Sequence, residues 1–203
     1  MAHRARVLLA AALLCAALTG CTAAAGPAPA PPSAAPPSVV PTIAPPVAAT
    51  AAPMPASEPV RVTIPAAGVD TSPVLKLGLA ADGTVEVPSV AEADRIGWYT
   101  KGVTPGETGP AVLIGHFDTA RGPAVLKDVA RVRTGEKITV SRADGTTAVF
   151  RVRELEQVDK KEFPTAKVYG NTDRPELRVI TCGGDITDGH RPDNIILYAD
   201  LVG

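Results

Sequence analysis

From Pro59 onward the sequence is a succession of short apolar runs closed by turns that contain glycine or proline. This punctuation limits the fold more than any other feature, because no run is long enough for a bundle helix. Val60-Arg61-Val62-Thr63-Ile64 alternates as a strand and stops at Pro65. Val74 to Leu79 follows, and Asp82-Gly83 turns it towards Val85-Glu86-Val87 as a hairpin. Ser89 to Glu92 has the spacing of a capping box, so a short helix is expected there. Ala111 to Ile114 is wholly apolar and ends on Gly115-His116-Phe117-Asp118. Gly122-Pro123 opens a short helical segment running to Val129. Glu136 to Arg142 and Thr147 to Arg153 flank Ala143-Asp144-Gly145 as a second hairpin. One helical turn is expected between Phe163 and Gly170. Leu177 to Cys182 and Asn194 to Val202 are the last strands. Such a chain folds as an all-β barrel or sandwich with short helices. Aromatic residues are only 3 % of the chain, so its core is built from Val, Ile, Leu and Ala.

Residues 1–21 differ. Arg4 and Arg6 precede an apolar stretch, Val7 to Leu18, that is shorter than the roughly 20 residues a membrane-spanning helix needs. The stretch ends in Leu18-Thr19-Gly20-Cys21, which resembles a bacterial lipobox. On that reading Cys21 is lipidated and becomes the new N-terminus, while Cys15 leaves with the signal. An uncleaved N-terminal anchor is the alternative, and either holds the protein on the outer face of the membrane. Residues 22–58 follow, rich in Pro and Ala, with Glu58 as their single charge. They form a semi-rigid spacer, since this composition favours extended polyproline-like chain. Residues 59–203 then make one domain. The net charge of −1 leaves no footprint for nucleic acid.

The chemistry converges on three side chains. Cys182 ends a strand, is followed by Gly183-Gly184, and is the one cysteine after residue 21. With no intrachain disulfide partner, its thiol is either buried and inert or retained because it reacts. His116 ends another apolar strand in the same way, and Arg191 lies just before the final strand. A thiolate is a nucleophile, an imidazole moves its proton, and a guanidinium stabilises a developing oxyanion.

The order of these elements resembles the sortases, in particular the actinobacterial class F group. The matching stretches are Lys76-Leu77-Gly78-Leu79, Asp82 to Pro88, Gly97-Trp98-Tyr99, Pro105-Gly106-Glu107, Gly115-His116 and Ile180-Thr181-Cys182-Gly183-Gly184, with an arginine before the last strand. The resemblance covers residues ~60 to 203. It implies an eight-stranded β-barrel and a cell-surface cysteine transpeptidase; no cofactor or metal is expected from the residues. Its partners would be proteins carrying a C-terminal Leu-Pro-x-Thr-Gly-like sorting signal. Cys182 would attack the Thr carbonyl, forming a thioacyl-enzyme that an amine from a cell-wall precursor or another protein resolves. His116 would handle the proton and Arg191 the oxyanion.

Two departures accompany the resemblance. Many sortases carry the arginine closer to the last strand, where Asn194 stands, so Asn194 rivals Arg191. Many are also held by an uncleaved helix in place of a lipobox. His190 reads as loop structure, and Asp185, Asp188 and Asp193 as loop solvation in place of a calcium site. The surroundings of Cys182 lack the His-rich Ser-x-Gly-Cys pattern of L,D-transpeptidases. Other readings are a sortase-fold hydrolase and a non-catalytic binding module. The module requires an unreactive, buried Cys182.

Overall fold

The computed structural model describes residues 51–203; the signal and lipobox at 1–21 and the spacer as far as residue 50 lie outside the described residues. The apolar runs become eleven strands. In chain order they are β1 (Pro59–Ile64), β2 (Val69–Thr71), β3 (Leu75–Leu77), β4 (Ile96–Tyr99), β5 (Gly109–Gly115) and β6 (Asp118–Thr119). They continue with β7 (Gly122–Pro123), β8 (Lys137–Arg142), β9 (Thr147–Asp159), β10 (Pro175–Gly183) and β11 (Asp193–Leu201). One short helix, α1 (Thr165–Tyr169), precedes β10. Nine strands form one curled sheet in the order β2-β1-β8-β9-β11-β10-β5-β4-β3, and β6 with β7 forms a separate ribbon. The expected all-β, barrel-like architecture with short helices is therefore present. Its main sheet has nine strands, of which the two edge strands β2 and β3 are three residues each.

The centre of the sheet explains the two apolar runs. β5 and β10 are parallel neighbours, with Val112 opposite Arg178 and Ile114 opposite Ile180. Strands covered on both faces read as continuous hydrophobic runs, because neither side of the pleat meets water. One face joins the main core of Val62, Ile64, Ile96, Trp98, Leu113, Ile138, Phe150, Leu177, Val179 and Leu197. The other carries a smaller cluster of Leu77, Val112, Ile114, Val168, Ile180, Ile196 and Tyr198. Each fully buried aliphatic side chain contributes about 1.5–3 kcal/mol, so the main core dominates the stability. The second face forms a narrower apolar floor.

Several local expectations are corrected. At Ser89 the hydroxyl bonds the Glu92 carboxylate (2.9 Å) in place of a backbone N–H, and only the 3-10 turn Val90–Glu92 forms. The side chains satisfy each other and leave the backbone uncapped. Gly122-Pro123 forms β7, paired with β6, and the helical turn is delayed to Val129–Arg131. The hairpin expected after Leu79 shrinks to a single Leu79–Val85 bridge, because β3 pairs in parallel with β4. The second hairpin forms between β8 and β9. Asp144 fixes its turn by accepting from the Thr146 backbone N–H (2.9 Å) and hydroxyl (2.6 Å).

Residues 51–58, spacer by composition, lie against the domain as a strap. The Ala51 N–H donates to Leu201 O (3.0 Å) and the Met54 N–H to Gly106 O (2.8 Å). The Ser57 N–H donates to Thr104 Oγ1 (2.9 Å), and the Ser57 hydroxyl accepts from the Asp144 N–H (3.1 Å). The buried Arg142 donates to Pro55 O. A chain begun at residue 59 leaves that guanidinium short of an acceptor, and a buried unsatisfied donor costs about 1–3 kcal/mol. Urea unfolding of residues 51–203 beside residues 59–203 should show the shorter chain less stable by at least that amount. Equal midpoints would mean that the strap contributes nothing.

Candidate active site

The parallel register of β5 and β10 builds the site. Ile114 is opposite Ile180, so β5 ends at Gly115, just before His116, beside the strand that carries Cys182. Across the other ladder, Cys182 is the partner of Asn194 on β11. Alternation along β10 places Cys182 on the face of Arg178 and Ile180, so the floor of Val112, Ile114, Ile180 and Ile196 leads up to the thiol. Cys182 is a half-buried free thiol. Immediately after it the chain turns away at Gly184, with φ +79°. A Cβ there would stand 2.8 Å from the Asp193 carboxylate, so the turn requires glycine for its conformation and its space.

The loop that follows folds back over the strand end. A cavity of about 340 Å³ is lined by Cys182, Arg191, His190, Ile186, Asp118 and Lys160, among others. Ile186 is 60 % exposed at its lip. The Arg191 guanidinium is held on several sides. Its Nε (2.9 Å) and Nη2 (2.6 Å) both donate to Asp118 Oδ2, Nη1 donates to Gly184 O, and the group lies 4.4 Å from the centre of the Phe117 ring. The Asp118 bond holds Arg191 still more firmly protonated than an ordinary arginine, with Cys182 close enough to add to the effect. Lys160 Nζ donates to the Arg191 carbonyl (2.7 Å) and fixes the backbone there.

His116 lies outside the lining of this cavity. Its Nε2 is 2.6 Å from Pro88 O. A carbonyl only accepts, so Nε2 is held as a donor and proton exchange falls to Nδ1. The structure thus brings Cys182 and Arg191 into one cavity, sets His116 at the neighbouring strand end, and puts Asn194 in cross-strand register with the thiol. His190 lines the cavity as well, and its backbone closes a tight turn with Thr187. Phe117, Asp118 and Lys160 were not anticipated as site residues. For Phe117 and Asp118 the available signal was adjacency to His116.

A second depression of about 710 Å³ opens farther down the same face, between Leu79, Val85, Tyr99, Val112 and Tyr169. Tyr99 and Tyr169 meet edge to face at 6.1 Å. The apolar floor therefore runs from this depression towards the thiol.

A family model described as the Sortase domain matches residues 62–202. No curated protein matches the sequence. Among solved structures, the fold is similar to sortase C-1 from Actinomyces oris, with TM-score 0.54 and 20 % identity over 72 % of this chain and 76 % of that one. It is similar to a Clostridium perfringens sortase D5 transpeptidase, with TM-score 0.53 and 18 % identity over 72 % and 79 %. It is also similar to sortase A from Corynebacterium diphtheriae, with TM-score 0.55 and 16 % identity over 72 % of this chain and 62 % of that one, under two-thirds of its length.

Proposed function

The chain belongs to the sortase family, and on that premise we propose that it is a class F-like transpeptidase held at the extracytoplasmic face of the membrane by residues 1–21. The observation that carries the reading is that an unpaired, half-exposed thiol and a fixed guanidinium line one cavity at the end of an apolar floor. A binding module with an inert cysteine would have buried that thiol.

The Cys182 thiolate attacks the Thr carbonyl carbon of a Leu-Pro-x-Thr-Gly-like signal, whose apolar residues lie in the depression lined by Val85, Tyr99, Val112 and Tyr169. Negative charge gathers on the carbonyl oxygen, and the N–H groups of Arg191 not engaged by Asp118 and Gly184 stabilise it. His116 delivers a proton to the leaving glycine nitrogen as the C–N bond breaks and the thioester forms. An amine from a cell-wall precursor or another protein then attacks the thioester, loses its proton to His116 and releases the Cys182 thiolate, which restores the starting pair. Water in place of the amine gives hydrolysis.

Intact-mass spectrometry of the chain with such a peptide, with and without an amine, tests this. A thioacyl adduct should form, and the amine should divert the product from acid to amide. His116→Ala should slow cleavage by about 10²- to 10⁴-fold. Arg191→Ala should slow it by about 10²- to 10³-fold, whereas Asn194→Ala changes it only severalfold. An alkylatable Cys182 that never cleaves the peptide overturns the substrate. An Asn194 effect larger than that of Arg191 reassigns the oxyanion role.

A further inference from the structure

Arg191 sits in a loop, one residue before Pro192, where an arginine side chain would ordinarily sweep through solvent. It does not do so here, and the reason lies 73 residues earlier. Both Nε and Nη2 converge on the single oxygen Oδ2 of Asp118, at 2.9 and 2.6 Å. The pair is partly shielded, with side chains 18 % and 28 % exposed. Charge-assisted bonds with two donors on one carboxylate fix direction as well as distance. Phe117 stacks on the guanidinium face, and Gly184 O takes Nη1. Three of the five N–H donors are thereby committed, and the remaining two, on Nη1 and Nη2, belong to a group that lines the Cys182 cavity.

We propose that Asp118 is the positioning residue for Arg191, orienting the guanidinium so that its uncommitted N–H groups serve the Cys182 cavity. Its catalytic consequence rests on the sortase reading of the site. Asp118 touches neither thiol nor substrate in this scheme; it acts through Arg191. The chain segment 116–118 thus supplies the proton-transfer group and two of the three supports of the anion-stabilising group. A shift of the segment moves all of them together, which keeps His116 and Arg191 in fixed relation to the parallel strand that carries Cys182. Removing the carboxylate leaves Arg191 with one carbonyl and one ring face. Displacement of a catalytic group by about 1 Å costs on the order of a hundredfold.

The test uses the full chain with [15N]arginine. The Arg191 Nε–H resonance, assigned by its loss in Arg191→Lys, should be sharp and distinct in the wild type. In Asp118→Asn it should merge with the exposed arginines, while the backbone spectrum stays folded. Asp118→Glu should restore it in part. With a Leu-Pro-x-Thr-Gly peptide, Asp118→Asn should lower kcat by about tenfold to a hundredfold and leave KM within about threefold. In an Arg191→Ala background the same substitution should change kcat by less than about twofold, as expected for residues acting as one unit. A retained Arg191 resonance in Asp118→Asn, or full multiplication of the two losses, overturns the proposal. If the resonance behaves as expected but the wild type cleaves no such peptide, the positioning role stands and the sortase reading of the substrate falls.

Discussion

Cys182→Ala should abolish acyl-enzyme formation and lower peptide cleavage by about 10⁴-fold or more, the scale seen when a covalent nucleophile is removed. The thiolate is the only atom in the scheme that bonds to substrate. The assignment is clean because the described residues contain no other cysteine. Any thioester on residues 51–203 must therefore report on Cys182. The fold should be spared. The side chain is half-buried at a strand end, so the cost to stability should not exceed the ~1 kcal/mol of a typical point substitution. Intact mass, circular dichroism and thermal unfolding together check both halves of this expectation. An adduct that survives in Cys182→Ala, or a variant that fails to fold, would each refute it.

The largest effect on stability is expected at Glu176. This carboxylate is 1 % exposed, accepts from Arg153 (2.7 Å) and Arg178, and is ion-paired with Arg174 at 2.7 Å. Arg178 is itself 1 % exposed and stacks against the Tyr198 ring at 4.8 Å. Glu176→Ala would strand a buried guanidinium between apolar strands, and breaking one partner out of a buried ion pair costs about 3–5 kcal/mol. Urea unfolding should show that loss, and a change below about 1 kcal/mol would mean that the arginines find water instead. A pH dependence follows. Burial works against the Glu176 charge, but the bonds from Arg153 and Arg178 outweigh it, so its pKa is held below the ordinary glutamate value. A carboxyl depressed in the fold adds stability that is fully present above its unfolded pKa, roughly 4.3. That stability drains as pH falls through the lower folded value. Glu156, lowered by its bonds from Lys167 and Tyr198, adds in the same direction. The melting temperature should hold from pH 7 to about pH 5 and fall below about pH 4, less steeply in Glu176→Gln.

Much of the site was legible because strands buried on both faces leave an unmistakable trace. Ala111 to Ile114 and Leu177 to Ile180 could be recognised as strands that deliver His116 and Cys182 at their ends. That the two lie side by side in parallel was not legible, since nothing local in either run names its neighbour. Asp118 shows the same limit. Its partner is 73 positions away and belongs to a loop whose path depends on Gly184 and Lys160. The capping-box spacing at Ser89 misled because the motif names two side chains without saying that they bond each other. Arg178 sits inside an apolar run, and only the finished network of Glu176 and Tyr198 makes that placement affordable. The strap at 51–58 left no trace at all. It is held largely through backbone N–H and C=O groups, which every residue has, so its Ala- and Pro-rich composition gave no hint of docking.

That strap bears on how the domain responds to force. Leu201, which receives Ala51, lies seven residues along β11 from Asn194, roughly 23 Å from the thiol end of the sheet. Tension arriving through the chain before Ala51 therefore loads the far pole. It is met first by a row of individually weak bonds that can peel away one at a time, like a zip. Were the chain held through the residues before Ala51, a tug would be taken up at the pole opposite the thiol, with the strap as its mechanical fuse.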